Sequence, residues 1–458
     1  MMHALSLAEI TPLIEGTLKG GDLFFSRVSI DTRTLEPGDL YVALVGDRFD
    51  GHEFISDAAR AGACAIISEQ PLEVDIPLVL VGDSRQALGR LAGINRQAFD
   101  GSVISVTGSC GKTTTRQMLA TVFEDAGSVM ASEGNLNNDL GVPLTLFRLS
   151  PGIDYAVIEL GASGVGEIAW TGSLAKPDLG MITQASEAHL AGFGSLENIV
   201  QAKGEIIDSV APSGTVVLNF DDAAFGIWLE RAGSRRVLSV SAEGDEDADL
   251  WARDIREDTD GVAFVLDGAV EPREMRIPLP GRHNVSNALL TAAAAQAQGL
   301  EMDAVVSGLA RLSALPGRLQ PVALRPGVTV LDDSYNANPA SMAAAVQTLS
   351  QMPGRRVAVL GDMAELGDAA EARHQAIGAE ARKLGVDLLM TTGDHASAYA
   401  RGFGEPTITA ETPELLADRL WERLNGATSI LVKGSRSAGM DRALGQLRKR
   451  NDNECFSG

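Results

Sequence analysis

The stretch Val103-Ile-Ser-Val-Thr-Gly-Ser-Cys-Gly-Lys-Thr-Thr-Thr115 constrains this chain more than any other. A β-branched apolar run stops at Gly108, and Gly111-Lys112-Thr113 opens a segment that reads as a helix. A strand that turns through glycines into a helix N-terminus offers free backbone N–H groups and the positive end of a helix dipole. The pattern predicts a phosphate-binding loop for a triphosphate such as ATP, built from Gly108, Ser109, Cys110, Gly111, Lys112, Thr113 and Thr114. Lys112 would neutralise the phosphates and the Thr113 hydroxyl would hold Mg²⁺. The usual spacing would put a glycine where the chain has Val106, so this loop is a short variant.

Such a loop needs a parallel α/β sheet around it, and 458 residues exceed one core. About three domains are expected. The formal net charge of -23 argues against nucleic acid or an anionic membrane as partner, although a local cation cluster can still hold a small anion. Cys64, Cys110 and Cys455 lie far apart, which fits neither a disulfide framework nor a zinc site. Ser6-Leu-Ala-Glu9 reads as a capping box rather than a leader, and no apolar run approaches the length of a membrane span. A cytoplasmic, soluble monomer with no membrane span is expected.

Three units follow from the pattern. Residues 1–100 carry short strands at 40–45, 63–67 and 78–81 and a helix at 85–99. Residues 101–314 alternate strands at 103–107, 155–160, 179–183 and 215–219 with helices, the signature of a parallel, doubly wound sheet. Within them, 246–278 suggests an antiparallel addition and 287–298 an alanine-rich helix. Residues 315–458, after Leu315-Pro316-Gly317, place strands at 328–331, 356–360, 387–391 and 429–432, a small Rossmann-like unit.

Ligands in open α/β sheets sit beyond the carboxyl ends of strands, and polar clusters gather there in both larger units. A cleft between them is expected. Glu159 ends a buried strand, where a cation or a cap would offset its burial. His189 lies in a loop and reads as a metal ligand or a structural histidine, while Lys203 reads as an ordinary solvated lysine. Asn135, Asn137 and Asn138 form an amide cluster suited to a polar ligand or to a turn. Asn284 and Asn287, three apart at a helix start, can reach the edge of a base. Asp332-Asp333-Ser-Tyr335-Asn336-Ala-Asn338 is too polar for a simple turn, and Lys433-Gly-Ser435-Arg436 sets cations where an anion could be received.

Taken together, Thr107-Gly-Ser-Cys-Gly-Lys-Thr-Thr-Thr115, Gly281-Arg-His-Asn-Val-Ser-Asn287 and Pro316-Gly-Arg318 resemble the Mur ligase family of ATP-dependent amide-forming enzymes. Asn135 to Pro143, Asp332 to Pro339, and Gly361-Asp-Met-Ala-Glu-Leu-Gly367 with His374 are similar to its branch that joins D-alanyl-D-alanine to a UDP-N-acetylmuramoyl tripeptide. Asp31-Thr-Arg33 and Arg48-Phe-Asp50-Gly51-His52 resemble that branch's UDP-sugar domain. Cys110 stands where serine or asparagine is more usual.

The resemblance implies an N-terminal UDP-sugar domain, a central ATP-binding domain and a C-terminal Rossmann-like domain. It implies that Thr113 and Glu159 hold one Mg²⁺, and that His189 and a carbamylated Lys203 serve a second. Asn284 and Asn287 would contact adenine, and Arg318 and Asp333 the phosphates and ribose. Asp31, Arg33, Asp50, Gly51 and His52 would serve the UDP-sugar; Asn135, Asn137, Asn138, Tyr335, Asn336, Asn338, Lys433, Ser435 and Arg436 the peptide substrates. Lys112, Lys203, His189 and Arg318 would carry the chemistry. A different amide ligase of the family and a phosphate-loop kinase are the competing expectations.

Overall fold

The computed structural model describes residues 2–46, 49–424 and 426–457, leaving out the side chains of 454–457 and with them that of Cys455. Arg48, singled out above, also lies outside the described residues.

The central sheet has nine strands, in the order Arg273–Ile277, Gly261–Gly268, Leu250–Asp258, Arg236–Ser241, Thr215–Asn219, Leu179–Ile182, Ser102–Thr107, Tyr155–Glu159, Val129–Ala131. Pairing is parallel from Val129–Ala131 across to Leu250–Asp258; only the last two pairs, in the expected 246–278 addition, are antiparallel. Ser102–Thr107 is the strand from which the chain first winds one way and then the other. Its carboxyl end is therefore the switch point, where a crevice opens.

The run 102–107 is buried on both faces, and its apolar residues therefore point both ways. Ile104 and Val106 pack with Met118, Leu119 and the alanine-rich helix, while Val103 packs on the opposite side with Leu88, Leu91 and Ile206. That helix spans His283–Ala297, four residues earlier at its start than the periodicity predicts, because Asn284 and Val285 are already buried in the first turn. Ala292 to Ala295 are fully buried, so small side chains let the helix lie close to its neighbours.

The C-terminal sheet has six strands, Gln320–Arg325, Val328–Asp333, Thr428–Lys433, Arg355–Leu360, Leu388–Thr391 and Thr407–Thr409, antiparallel only at the first pair. Near the N-terminus, five short strands form a sheet of their own, ordered Thr17–Lys19, Leu78–Leu80, Ala65–Ser68, Leu40–Val42 and Val28–Ser29. The strand expected at 40–45 ends at Val42, since Val45 makes only an isolated bridge to Asp50. Beyond the strands that the sequence predicts are Val129–Ala131, Gln320–Arg325 and Thr407–Thr409, which are short or at a sheet edge, and the interior strand Arg236–Ser241. No helix among the described residues is long and apolar enough to cross a membrane.

Candidate functional site at the strand ends

One large cleft, about 1160 Å³, lies between the carboxyl ends of the central and C-terminal sheets. Gly108 and Gly111 turn the loop with φ of +147° and +84°. A Cβ at Gly108 would sit 1.9 Å from Thr183 Oγ1, and one at Gly111 2.6 Å from Asn287 Oδ1, so both positions exclude a side chain. Helix Lys112–Phe123 then starts with no side-chain cap, which leaves its first N–H groups to an anion.

Ser109 behaves differently from expectation. Its N–H donates to Gln184 O at 2.9 Å and its hydroxyl to Ser186 O at 2.8 Å, so it ties the loop down rather than facing phosphate. Cys110 and Thr114 line the cleft. Lys112 Nζ donates to Gly108 O at 2.5 Å, and burial lowers its pKa, opposed by the nearby Glu159 carboxylate.

Glu159 is 2% exposed. Its Oε1 accepts from Asn137 Nδ2 at 2.9 Å, while its Oε2 is buried without a hydrogen-bond partner. An orphaned carboxylate oxygen and a threonine hydroxyl that line the same cleft are hard oxygen donors, so Thr113 and Glu159 fit Mg²⁺. Among the described residues no three His, Cys, Asp or Glu cluster as ligands. A cation at this position would complete its shell with phosphate oxygens and water, as Mg²⁺ does.

The asparagines divide their work. Asn137 holds Glu159, and a Cβ on Gly161 would come within 2.9 Å of its amide. Asn138 Oδ1 instead accepts Gly141 N–H at 2.8 Å, opening helix Gly141–Leu146, while Asn135 lines the cleft. Asn284 and Asn287 also line the cleft, but their amides are engaged locally. Asn284 donates to Pro280 O at 2.8 Å, Asn287 donates to Asn284 Oδ1 at 3.2 Å, and Thr115 donates to Asn287 Oδ1 at 3.2 Å. The pair locks the alanine-rich helix to the phosphate loop.

Lys203 overturns the reading of a solvated lysine. It is 2% exposed inside helix Leu196–Ser209, with Nζ 5.1 Å from the Phe193 ring centroid. Burial first, then the positive charge of Lys112, pull its pKa down to about 7. His189, at φ +54°, lines the cleft, and its Nδ1 meets the Glu365 carboxylate from the C-terminal unit.

That unit reaches the loop at further points. Arg318 Nη2 donates to Thr113 Oγ1 at 2.9 Å and its guanidinium lies 4.4 Å from the Tyr335 ring centroid. Asn338 caps helix Pro339–Ser350, and its amide lies against Cys110 Sγ at 3.1 Å. Lys433 is not an open cation: it is 2% exposed, its Nζ pairs with Asp333 Oδ2 at 2.6 Å and donates to Asn336 O at 2.9 Å. Asp333 is thereby neutralised as well, and its Oδ1 accepts Leu319 N–H at 3.1 Å. Ser435 and Arg436 line the cleft at the same strand end.

Asp31, Arg33, Asp50, Gly51 and His52 do not line this cleft. Arg33 pairs with Asp31 at 2.6 Å and holds that carboxyl at about 2. His52 is a buried tie: Nδ1 meets Asp50 at 2.6 Å and Nε2 accepts Glu69 N–H at 3.1 Å. A Cβ on Gly51 would lie 2.6 Å from Leu44 N, so that glycine shapes the loop. Two residues of the seam were missed. Glu365 sat in view in the 361–367 motif, whereas Arg373, which pairs with Glu187, had no signal beyond a helical charge.

Two sheets whose strand ends close on a phosphate loop, with an arginine of one unit on the threonine of the other, make a phosphate-binding cleft shared between two units. Residues 106–295 match the Mur ligase middle domain, 317–436 the Mur ligase glutamate ligase domain, and 25–96 the Mur ligase family catalytic domain. The chain is 43% identical over 450 residues to the Escherichia coli UDP-N-acetylmuramoyl-tripeptide–D-alanyl-D-alanine ligase, covering 98% of this chain and 99% of that one. The Synechocystis enzyme of the same name is 36% identical over 98% of this chain and 99% of its own. A crystal structure of MurF from Acinetobacter baumannii superposes with a TM-score of 0.93 at 32% identity, covering 98% and 99% of the two chains. MurF from Thermotoga maritima in complex with ADP gives 0.85 at 29% identity, covering 93% and 98%. The chain belongs to the Mur ligase family.

Proposed function

We propose that the chain uses ATP to join D-alanyl-D-alanine to a UDP-N-acetylmuramoyl tripeptide, giving the UDP-linked pentapeptide of peptidoglycan synthesis. The observation that carries this reading is the end-to-end 43% identity to a ligase of that name. The geometry of the cleft supports it.

A carboxylate repels an amine and has no leaving group. The tripeptide carboxylate oxygen therefore attacks the γ-phosphorus of ATP, the bond to the β-phosphate oxygen breaks, and ADP leaves. The dipeptide amine attacks the acyl phosphate carbon, loses its proton, and phosphate departs. Uncapped N–H groups of helix Lys112–Phe123, with Lys112 and Arg318, stabilise charge on the transferring phosphoryl group. Thr113 and Glu159 would hold one Mg²⁺ and His189 a second; the cations supply neutralisation of phosphate charge. A neutral Lys203 amine can add to CO₂, forming an N–C bond and releasing a proton, which supplies an oxygen ligand in place of a cation. Its burial and its pKa of about 7 favour that modification. Asn336, Asn338, Ser435 and Arg436 line the C-terminal side of the cleft, where the dipeptide would enter. The acyl phosphate needs shelter from water, and the contacts across the seam bring the two units together over the loop where it would form.

The test is a phosphate-release assay. Release is expected only with UDP-tripeptide and D-alanyl-D-alanine both present; equal release with a single amino acid as amine, or with no amine, would refute the assignment.

A further inference from the structure

Glu365 lies in the 361–367 turn and has no part in the reaction as written above. That turn is held rigidly on its own unit. The Asp362 carboxylate accepts the N–H groups of Asp394 and His395 at 2.8 and 3.1 Å, and its carbonyl accepts Ser435 N–H at 2.9 Å. Met363 N–H donates to the buried His374 Nε2 at 2.9 Å. From this base Glu365 makes two contacts with one loop of the central unit. Its carboxylate meets His189 Nδ1, and its carbonyl accepts Ala191 N–H at 3.0 Å. A third contact, Arg373 with Glu187, grips the same loop two residues before His189.

The backbone adds an independent observation. Glu365 has φ of +63° and His189 φ of +54°, two non-glycine residues in the left-handed region that face each other across the seam. Each such conformation costs about 1–2 kcal/mol and persists where surrounding contacts impose it. Both residues line the cleft.

We propose that Glu365 is a positioning residue for His189: by accepting the Nδ1–H on its carboxylate and the Ala191 N–H on its carbonyl, it fixes the tautomer that leaves Nε2 of His189 free for a cation and makes that ligand depend on docking of the C-terminal unit. Carboxylates that accept the second ring N–H of a metal-binding histidine fix its tautomer and ring orientation. The inference rests on the reading of His189 as an Mg²⁺ ligand.

The experiment is an electron-paramagnetic-resonance titration of the ADP-loaded full chain with Mn²⁺, on the parent, His189→Ala, Glu365→Gln and Glu365→Gly. Glycine is native-like at φ +63°, so the last variant removes the carboxylate without opposing the turn. His189→Ala is expected to lose one of two Mn²⁺ sites. Glu365→Gly is expected to weaken that same site roughly 10–100-fold and Glu365→Gln less, with the other site unchanged. The double variant His189→Ala/Glu365→Gly should bind no more weakly than His189→Ala. If His189→Ala keeps both sites, the ligand reading of His189 fails and the positioning role with it. If His189→Ala loses a site while both Glu365 variants bind Mn²⁺ like the parent, the positioning role alone is overturned.

Discussion

The Asp333–Lys433 pair allows a quantitative test of how the C-terminal half of the cleft is built. The Lys433 ammonium is held by Asp333 Oδ2 at 2.6 Å and Asn336 O at 2.9 Å, with both ionic side chains largely buried. At an effective dielectric of about 20, charges this close attract by roughly 6 kcal/mol, most of it offset by desolvation. Deleting one partner leaves the other charge buried and unpaired. Asp333→Asn keeps the acceptor for Leu319 N–H but strands the ammonium; Lys433→Met strands the carboxylate near the Asn336 carbonyl. Each is expected to cost about 3 kcal/mol, at the lower end for broken buried pairs. The double variant removes both charges and should cost less than either single variant. For a unit of this size each single change lowers the midpoint of its unfolding by roughly 6–12 °C. Calorimetry, with fluorescence of the buried Trp421 reporting the C-terminal unit, reads the shifts. Additive losses in the double variant would mean that the pair is not coupled and that Lys433 is an available cation after all.

Four further outcomes are expected. Lys203, with its pKa lowered to about 7, binds fewer protons folded than unfolded between that pH and the ordinary 10.5. Stability in CO₂-free buffer therefore rises with pH through that window, a rise that urea titrations should find missing in Lys203→Met. With ¹³C-labelled bicarbonate, a carbamate resonance should appear in the parent near neutral pH and be absent from Lys203→Met. Gly111→Ala combines φ of +84° with a Cβ 2.6 Å from Asn287 Oδ1, so calorimetric ATP affinity should fall at least tenfold; unchanged affinity would contradict the loop geometry. Alkylation mapped to Cys110 should abolish turnover, with ATP protecting, because the thiol lies against Asn338 at the cleft, whereas Cys110→Ser should remain active.

Much of this was legible in the sequence because it is local. The phosphate loop, the strands on either side of it and the polar strand ends follow from period, turn residues and spacing. The burial of Lys203, which only the resemblance singled out, was not legible in its own pattern: its helix carries an ordinary charged sequence, and the packing of Phe193 shows the ammonium out of water. Lys433 and Asp333 stand 100 positions apart, so their pairing depends on strands Val328–Asp333 and Thr428–Lys433 lying side by side, which no local pattern encodes. Asn284 and Asn287 have amide chemistry suited to a base, but helix packing turns the two amides on each other.

Arg318 follows Gly317, which has φ of +71° and closes against Tyr335 at the connection between the two larger sheets. The Cα of a residue one step from a pivot has a short lever arm, about 3.8 Å. The backbone of Arg318 would therefore move least when the C-terminal unit turns about this connection, which makes its hold on Thr113 the contact best placed to outlast such a turn.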